Sequence, residues 1–217
     1  STLVMVDCGF SCREIERRMA RLDRSPEQLS AVLVTHEHGD HVRGVPVLAR
    51  KYSLPVWLTR GTHLFMRDDS SLDLNYLDGH RSHALGDIEV HPYTVPHDAR
   101  EPCQFTFSDG AHRFGMLTDS GRITAHICES LHACDALLLE CNHDREMLAN
   151  GPYSPRLKAR VGGRFGHLSN DQALELLRRV SLDDLQCLVA AHLSEKNNHP
   201  DRVRECLGRG LGLQPDW

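Results

Sequence analysis

The sequence has no apolar run approaching the roughly 18 residues that a membrane-spanning helix needs, which excludes such a helix. Its eight cysteines, at 8, 12, 103, 128, 134, 141, 187 and 206, include no Cys-x-x-Cys pair. Scattered in this way, they argue against a disulfide frame and read as reduced, mostly buried small hydrophobes. Positive charge is not in excess either. Lys and Arg number 25 against 30 Asp and Glu, a net −5, which argues against a protein that coats DNA but not against one that cuts it at a metal. Repeats, low-complexity stretches and linkers are missing, and no signal-peptide pattern precedes the strand-like Leu3-Val4-Met5-Val6. These absences predict one cytoplasmic domain over residues 1–217, long enough for a sizeable core.

What is abundant is histidine, with 15 in the chain. Three imidazoles and two carboxylates fall within Thr35-His36-Glu37-His38-Gly39-Asp40-His41, directly after the apolar run Ala31-Val32-Leu33-Val34. Such a run reads as a short buried strand, so the polar cluster sits at its end. Neutral imidazole and carboxylate oxygen are ordinary ligands for divalent ions. His36 and His38, two apart in extended backbone, project to one side, while Asp40 and His41 follow at the turn and can aim at a second ion. Glu37 faces away in this reading. Four further residues share the strand-end position, where rigid backbone presents a side chain to a crevice: Asp7, His97, Asp119 and His192. His63, His80, His83, His91, His112, His126, His132 and His199 lack any ligand-like context.

The remaining pattern alternates strands and helices, which implies α/β layers. Helices are predicted from Ser11, with Ile15, Met19 and Leu22 on one face, through Val42–Ala49, and over 61–67, 122–132, 144–149, 155–161, 171–180 and 200–207. Strands are predicted at 3–6, 31–35, 55–59, 87–95, 103–108, 112–118, 135–140 and 185–191. Ser108-Asp109-Gly110 makes the hairpin turn between two of them. Residues 68–86 carry no clear signal.

The block H-x-H-x-D-H resembles the metal-binding motif of the metallo-β-lactamase superfamily. With Asp7, His97, Asp119 and His192 in the same order, the resemblance covers nearly the whole chain. It implies an αββα four-layer sandwich, two mixed β-sheets flanked by helices. It further implies two divalent ions, Zn²⁺ or Mn²⁺ with Fe²⁺ also suited. His36, His38 and His97 would hold one ion and Asp40, His41 and His192 the other. Asp119 would bridge them, and Asp7 would orient a ligand imidazole from behind. Val95-Pro96-His97-Asp98-Ala99, Glu140-Cys141-Asn142-His143-Asp144 and Ala191-His192-Leu193-Ser194-Glu195-Lys196-Asn197-Asn198 resemble the YycJ/WalJ branch. Asn150-Gly151-Pro152-Tyr153 and Gly166-His167-Leu168-Ser169-Asn170 fit it as well. That branch implies a 5′→3′ DNA exonuclease in which a metal-bridging hydroxide attacks phosphorus, with DNA favoured over RNA and no membrane partner. Members begin with a Gly/Ser-rich phosphate-binding loop ahead of the first strand, which this sequence lacks, so the N-terminal strand and loop read as missing.

The string around His167 resembles the Gly-His-Ala-Ser arrangement of β-CASP nucleases, which implies contact with the scissile phosphate. Just before a helix N-terminus, His167 is otherwise a cap, a core residue, or a metal ligand in place of His192. Asp40 and His167 are thus the catalytic candidates. Arg156, Lys158, Arg160 and Arg164 form either a solvated helix face or a basic loop that tracks a nucleic-acid backbone. Substrate contacts are expected from His167, Ser169, Arg160, Arg164 and Asn142, with His143 within reach of the site. Two other functions compete. A small-molecule hydrolase of thioesters, lactones or cyclic phosphodiesters would use the same metals, although His97-Asp98-Ala99 departs from the Gly-rich string of those branches. A non-catalytic scaffold would have lost ligands that this chain retains.

Overall fold

The computed structural model describes residues 1–66 and 70–212. Its described strands form two sheets, one of four strands and one of six, with helices between them in sequence. The chain divides into two compact units, Ser1–Thr94 with Ala99–Phe105, and Val95–Asp98 with Thr106–Trp217.

In the first unit, β1 (Val4–Val6), β2 (Ala31–Leu33), β3 (Val56–Leu58) and β4 (Leu74–Tyr76) pair in that order, all parallel. Parallel neighbours need crossovers, and helices supply them. Helix α1 (Cys12–Ala20) links β1 to β2, and α2 (Gly39–Val42) with α3 (Val45–Tyr52) links β2 to β3. Val32, Val34, Val56 and Leu58 bury one sheet layer against Ile15, Met19, Val45 and Leu48. Then α4 (Arg60–His63), β5 (His83–Leu85) and β6 (Ile88–Thr94) follow, the last two antiparallel.

Strand β7 (Cys103–Ser108) passes from the first unit into the second, where Thr106–Ser108 runs antiparallel to β8 (Arg113–Leu117), joined by the predicted turn with Gly110 at φ 89°. Strand β9 (Ala136–Glu140) lies parallel between β8 and β10 (Cys187–Ala191). Helices α5 (Ala125–Ser130), α6 (Arg145–Asn150), α7 (Pro155–Val161), α8 (Asn170–Leu177) and α9 (Pro200–Leu211) complete it.

Several expected boundaries shift for local reasons. Helix α1 stops at Ala20, so Leu22 leaves the apolar face and is exposed. Ser11 caps it by accepting from Glu14 N, but the Glu14 carboxylate turns forward to Arg17 and Arg18 and leaves the capping box half made. The single helix expected across Val42–Ala49 breaks at Arg43-Gly44. A Cβ on Gly44 would come within 2.0 Å of the Phe10 carbonyl oxygen, so the chain there packs backbone against backbone. Strand β1 is half-buried at a sheet edge. The 61–67 helix contracts to α4, and its last residue lies outside the described ones. The unassigned 68–86 stretch contributes β4 and β5. No helix among the described residues is long and apolar enough to cross a membrane.

Candidate functional site

In the first unit the site grows from the ends of β1 and β2. Asp7 follows β1 in left-handed backbone, φ 60°, a conformation that non-glycine residues rarely hold without a local reason. That bend aims its carboxylate at the next strand end. Oδ1 accepts from Thr35 N at 2.8 Å, and Oδ2 accepts from Thr35 Oγ1 at 2.8 Å and from His41 Nδ1 at 2.7 Å. The Thr35 hydroxyl has one hydrogen, already given to Asp7. Its 2.9 Å contact with His36 Nδ1 therefore requires His36 to donate. Both His36 and His41 are thereby held as Nδ1–H tautomers with an unprotonated Nε2, the form that ligates a metal.

His38 Nδ1 lies 2.9 Å from His36 Nε2, and the rings of His36 and His41 are 4.1 Å apart. Thr35, His36 and His41 are buried, while Asp40 opens to solvent. Its Oδ2 stands 3.6 Å from His41 Nε2. Glu37 turns away and accepts from Arg100 N at 2.8 Å. Glycine is required at position 9. A Cβ there would overlap the Asp40 carbonyl at 1.7 Å, and this close approach lets Cys8 N reach the His41 carbonyl.

In the second unit the strand ends bring His97, Asp119, His167 and His192 together around a residue to which sequence reasoning gave no role, Glu140. Its carboxylate is fully buried at the end of β9 and accepts four hydrogen bonds. Oε1 takes His167 Nδ1 at 2.8 Å and His192 Nδ1 at 2.9 Å, while Oε2 takes Ser120 N at 3.1 Å and Leu168 N at 3.0 Å. Asp119 Oδ1 stands 3.6 to 3.8 Å from His167 Nδ1, His192 Nδ1 and His97 Nε2. His97 donates Nδ1–H to the Gly166 carbonyl at 3.0 Å, which leaves Nε2 unprotonated. Burial lowers its pKa, partly offset by Asp119, and keeps the ring neutral. His192, like Asp7, sits in left-handed backbone, φ 56°. The signal that finds Glu140 is the strand-end rule itself, applied once more at β9.

Two expected substrate contacts turn inward. Ser169 is buried as the N-cap of α8, its hydroxyl held between Gln172 and Arg145. Asn142 is buried and donates through Nδ2 to the His192 carbonyl at 3.1 Å. Both position other groups rather than face a substrate. Arg160 pairs with Asp98 at 2.5 Å, beside His97, and Arg164 is exposed on the loop after α7. Cys8 and Cys141 lie near these residues, and burial pushes their thiols up to about 11 and about 12, which favours the protonated form.

The donor set fits divalent ions. Within the second unit, ligand atoms of Asp119, Glu140, His167 and His192 all lie within 4.8 Å of one another. Two buried carboxylates this close to one another repel unless a positive charge sits with them, and neutral imidazoles do not supply it.

Residues 2–192 match the beta-lactamase superfamily domain. Exodeoxyribonuclease WalJ of Streptococcus pneumoniae serotype 2 (strain D39 / NCTC 7466) is 34% identical over 227 residues, covering 99% of this chain and 84% of WalJ. The chain belongs to this family. Exodeoxyribonuclease YycJ of Bacillus anthracis is 33% identical over 213 residues, covering 96% of the chain and 80% of YycJ. Among solved structures, Zn(2+)-bound PqqB from Methylobacterium extorquens superposes with a TM-score of 0.70 at 16% identity, over 96% of this chain and 79% of PqqB. The metallo-beta-lactamase fold protein YhfI from Bacillus subtilis superposes with a TM-score of 0.68 at 17% identity, over 95% of this chain and 80% of YhfI, which bears out the metallo-β-lactamase fold anticipated from the sequence.

Proposed function

We propose that the chain is a divalent-metal-dependent exodeoxyribonuclease that removes nucleotides in the 5′→3′ direction. The observation that carries the reading is the tautomer control in both units. Asp7 with Thr35 holds His36 and His41, and Glu140 holds His167 and His192, each through Nδ1. Structural histidines do not need such uniform orientation, whereas metal ligands do. Similarity to WalJ and YycJ supplies the substrate class.

In this reading His36, His38 and His97 would hold one ion and Asp40, His41 and His192 the second, with Asp119 available to both and Zn²⁺ or Mn²⁺ as the ions. Bound ions supply Lewis acidity and make water a nucleophile near neutral pH. The chain supplies the rest. Asp7 and Glu140 fix the imidazoles before substrate arrives, which reduces reorganisation during reaction. Anchored on Glu140 through Nδ1–H, His167 presents an unprotonated Nε2, which can take a proton from water and then pass that proton to the leaving oxygen. Arg164, exposed on the loop after α7, is the cation proposed to meet the strand's phosphates. Eight cysteines kept as free thiols suit a reducing, cytoplasmic setting.

A substrate panel tests this. DNA with a 5′-phosphate, RNA, a cyclic phosphodiester and a thioester are each offered to protein loaded with Zn²⁺ or with Mn²⁺. DNA should be shortened from its 5′ end, with mononucleotides released. Turnover of the thioester or cyclic diester alone would instead establish the small-molecule hydrolase.

A further inference from the structure

The second unit contains a cavity of about 340 Å³ that the reaction described above does not use, lined by His143, Arg145, Leu148, Lys158, Gly162 and Gln172. Its volume suits a small polar ligand. His143 is buried, 3% exposed, and its Nδ1 has no hydrogen-bond partner. Its Nε2 faces Gly162, where even an added Cβ would remain 3.9 Å away. A buried N–H without an acceptor is rarer than an unused lone pair, so the hydrogen belongs on Nε2 and points as a donor toward Gly162. Burial moves the His143 pKa down to about 4, which keeps the ring in this neutral, single-donor form.

The other polar groups are also donors. Arg145 uses Nε on Ser169 Oγ at 3.2 Å and stands 3.3 Å from the Asp171 carboxylate, which leaves its terminal nitrogens for a ligand. Lys158 Nζ donates one hydrogen to the Ala149 carbonyl at 2.6 Å and retains two. Gln172 has its side-chain oxygen in the α8 cap. Two cations and an imidazole N–H around one cavity match an anion with several acceptor oxygens. The wall of this cavity and the nuclease centre share one segment, because His167 N donates to the carbonyl of Val161, next to Gly162, at 2.8 Å.

We infer that this cavity is a second phosphate subsite, which holds a phosphoryl group of the nucleic-acid strand away from the bond being cut. This rests on the nuclease reading for the identity of the strand. Terminal and internucleotide phosphates present the same oxygens, and the test separates them.

Histidine-ring NMR of the full chain with its ions bound, titrated with inorganic phosphate, reads the subsite directly. The His143 signal should move and saturate. Lys158→Met should weaken phosphate binding about tenfold or more, as expected for loss of a charge-assisted hydrogen bond. Lys158→Arg should largely restore it. An unmoved His143 ring, or equal phosphate affinity in Lys158→Met, would overturn the assignment, whether or not the chain cuts DNA. Cleavage then locates the phosphate. If it is the 5′-terminal one, Lys158→Met lowers kcat/KM on 5′-phosphorylated DNA and leaves 5′-hydroxyl DNA unchanged. If it is internucleotide, both fall alike. Wild-type KM on both substrates would also overturn it.

Discussion

Glu140 takes four hydrogen bonds on two buried oxygens, and two of them come from the imidazoles of His167 and His192. Replacing it by Gln retains the shape but introduces an N–H₂ where an acceptor is required, so one imidazole loses its anchor. Glu140→Gln should lower metal affinity or activity about 10–100-fold, the range for a carboxylate that orients a ligand. Metal titration alongside the nuclease assay checks this, and unchanged values in both would remove Glu140 from the site. His143 provides a second prediction at this scale. Its pKa falls from 6.5 in the unfolded chain to about 4 when folded. Below pH 6.5 the unfolded chain therefore binds a proton that the native ring refuses. Stability is fully retained above pH 6.5 and is lost as pH falls toward 4, by on the order of 3 kcal/mol from this residue. Urea midpoints measured from pH 7 to pH 4 should drop less steeply in His143→Gln than in wild type.

At the level of elements, the site depends on backbones brought into contact before any side chain acts. The loop after β1 presses against α2 so closely that a single methyl group at position 9 collides with the Asp40 carbonyl. Gly9→Ala should cost about 1–3 kcal/mol through overpacking and should disturb Asp40 and His41 together. A lowered melting temperature with reduced metal stoichiometry is the expected result. Elements were legible in the sequence wherever apolar runs ended in a charged or imidazole residue. Asp7, His36, Asp119 and His192 all stand beyond such runs. The rest was obscured for identifiable reasons. The apolar spacing from Val42 to Ala49 is continuous, but Pro46 has no N–H for the Val42 carbonyl and Gly44 packs on the Phe10 carbonyl, so a new helix starts at Val45. Ser169 and Asn142 have the chemistry of substrate contacts, but the α8 cap and the His192 carbonyl engage them, and both partners are tertiary or conformational. Glu140 was hidden by the opposite problem: it ends an apolar strand as the others do, but a lone carboxylate there reads as a cap until both imidazoles are placed.

For the molecule as a whole, two compact units each carry a set of imidazoles fixed by a buried or half-buried carboxylate, and family membership ties both sets to the metallo-β-lactamase fold. Neither set includes a serine or cysteine nucleophile, which fits the proposed activation of water by bound ions. His38→Ala should therefore lose both metal and activity while the distant core around Val56 and Leu58 remains folded. The most direct test is to strip the full chain with a chelator, restore Zn²⁺ or Mn²⁺ stepwise, and follow 5′-end cleavage of labelled DNA against ions bound per chain. Activity should be absent in the stripped protein and should reach its maximum as the second ion binds. Undiminished cleavage by chain shown to carry no metal would contradict the account.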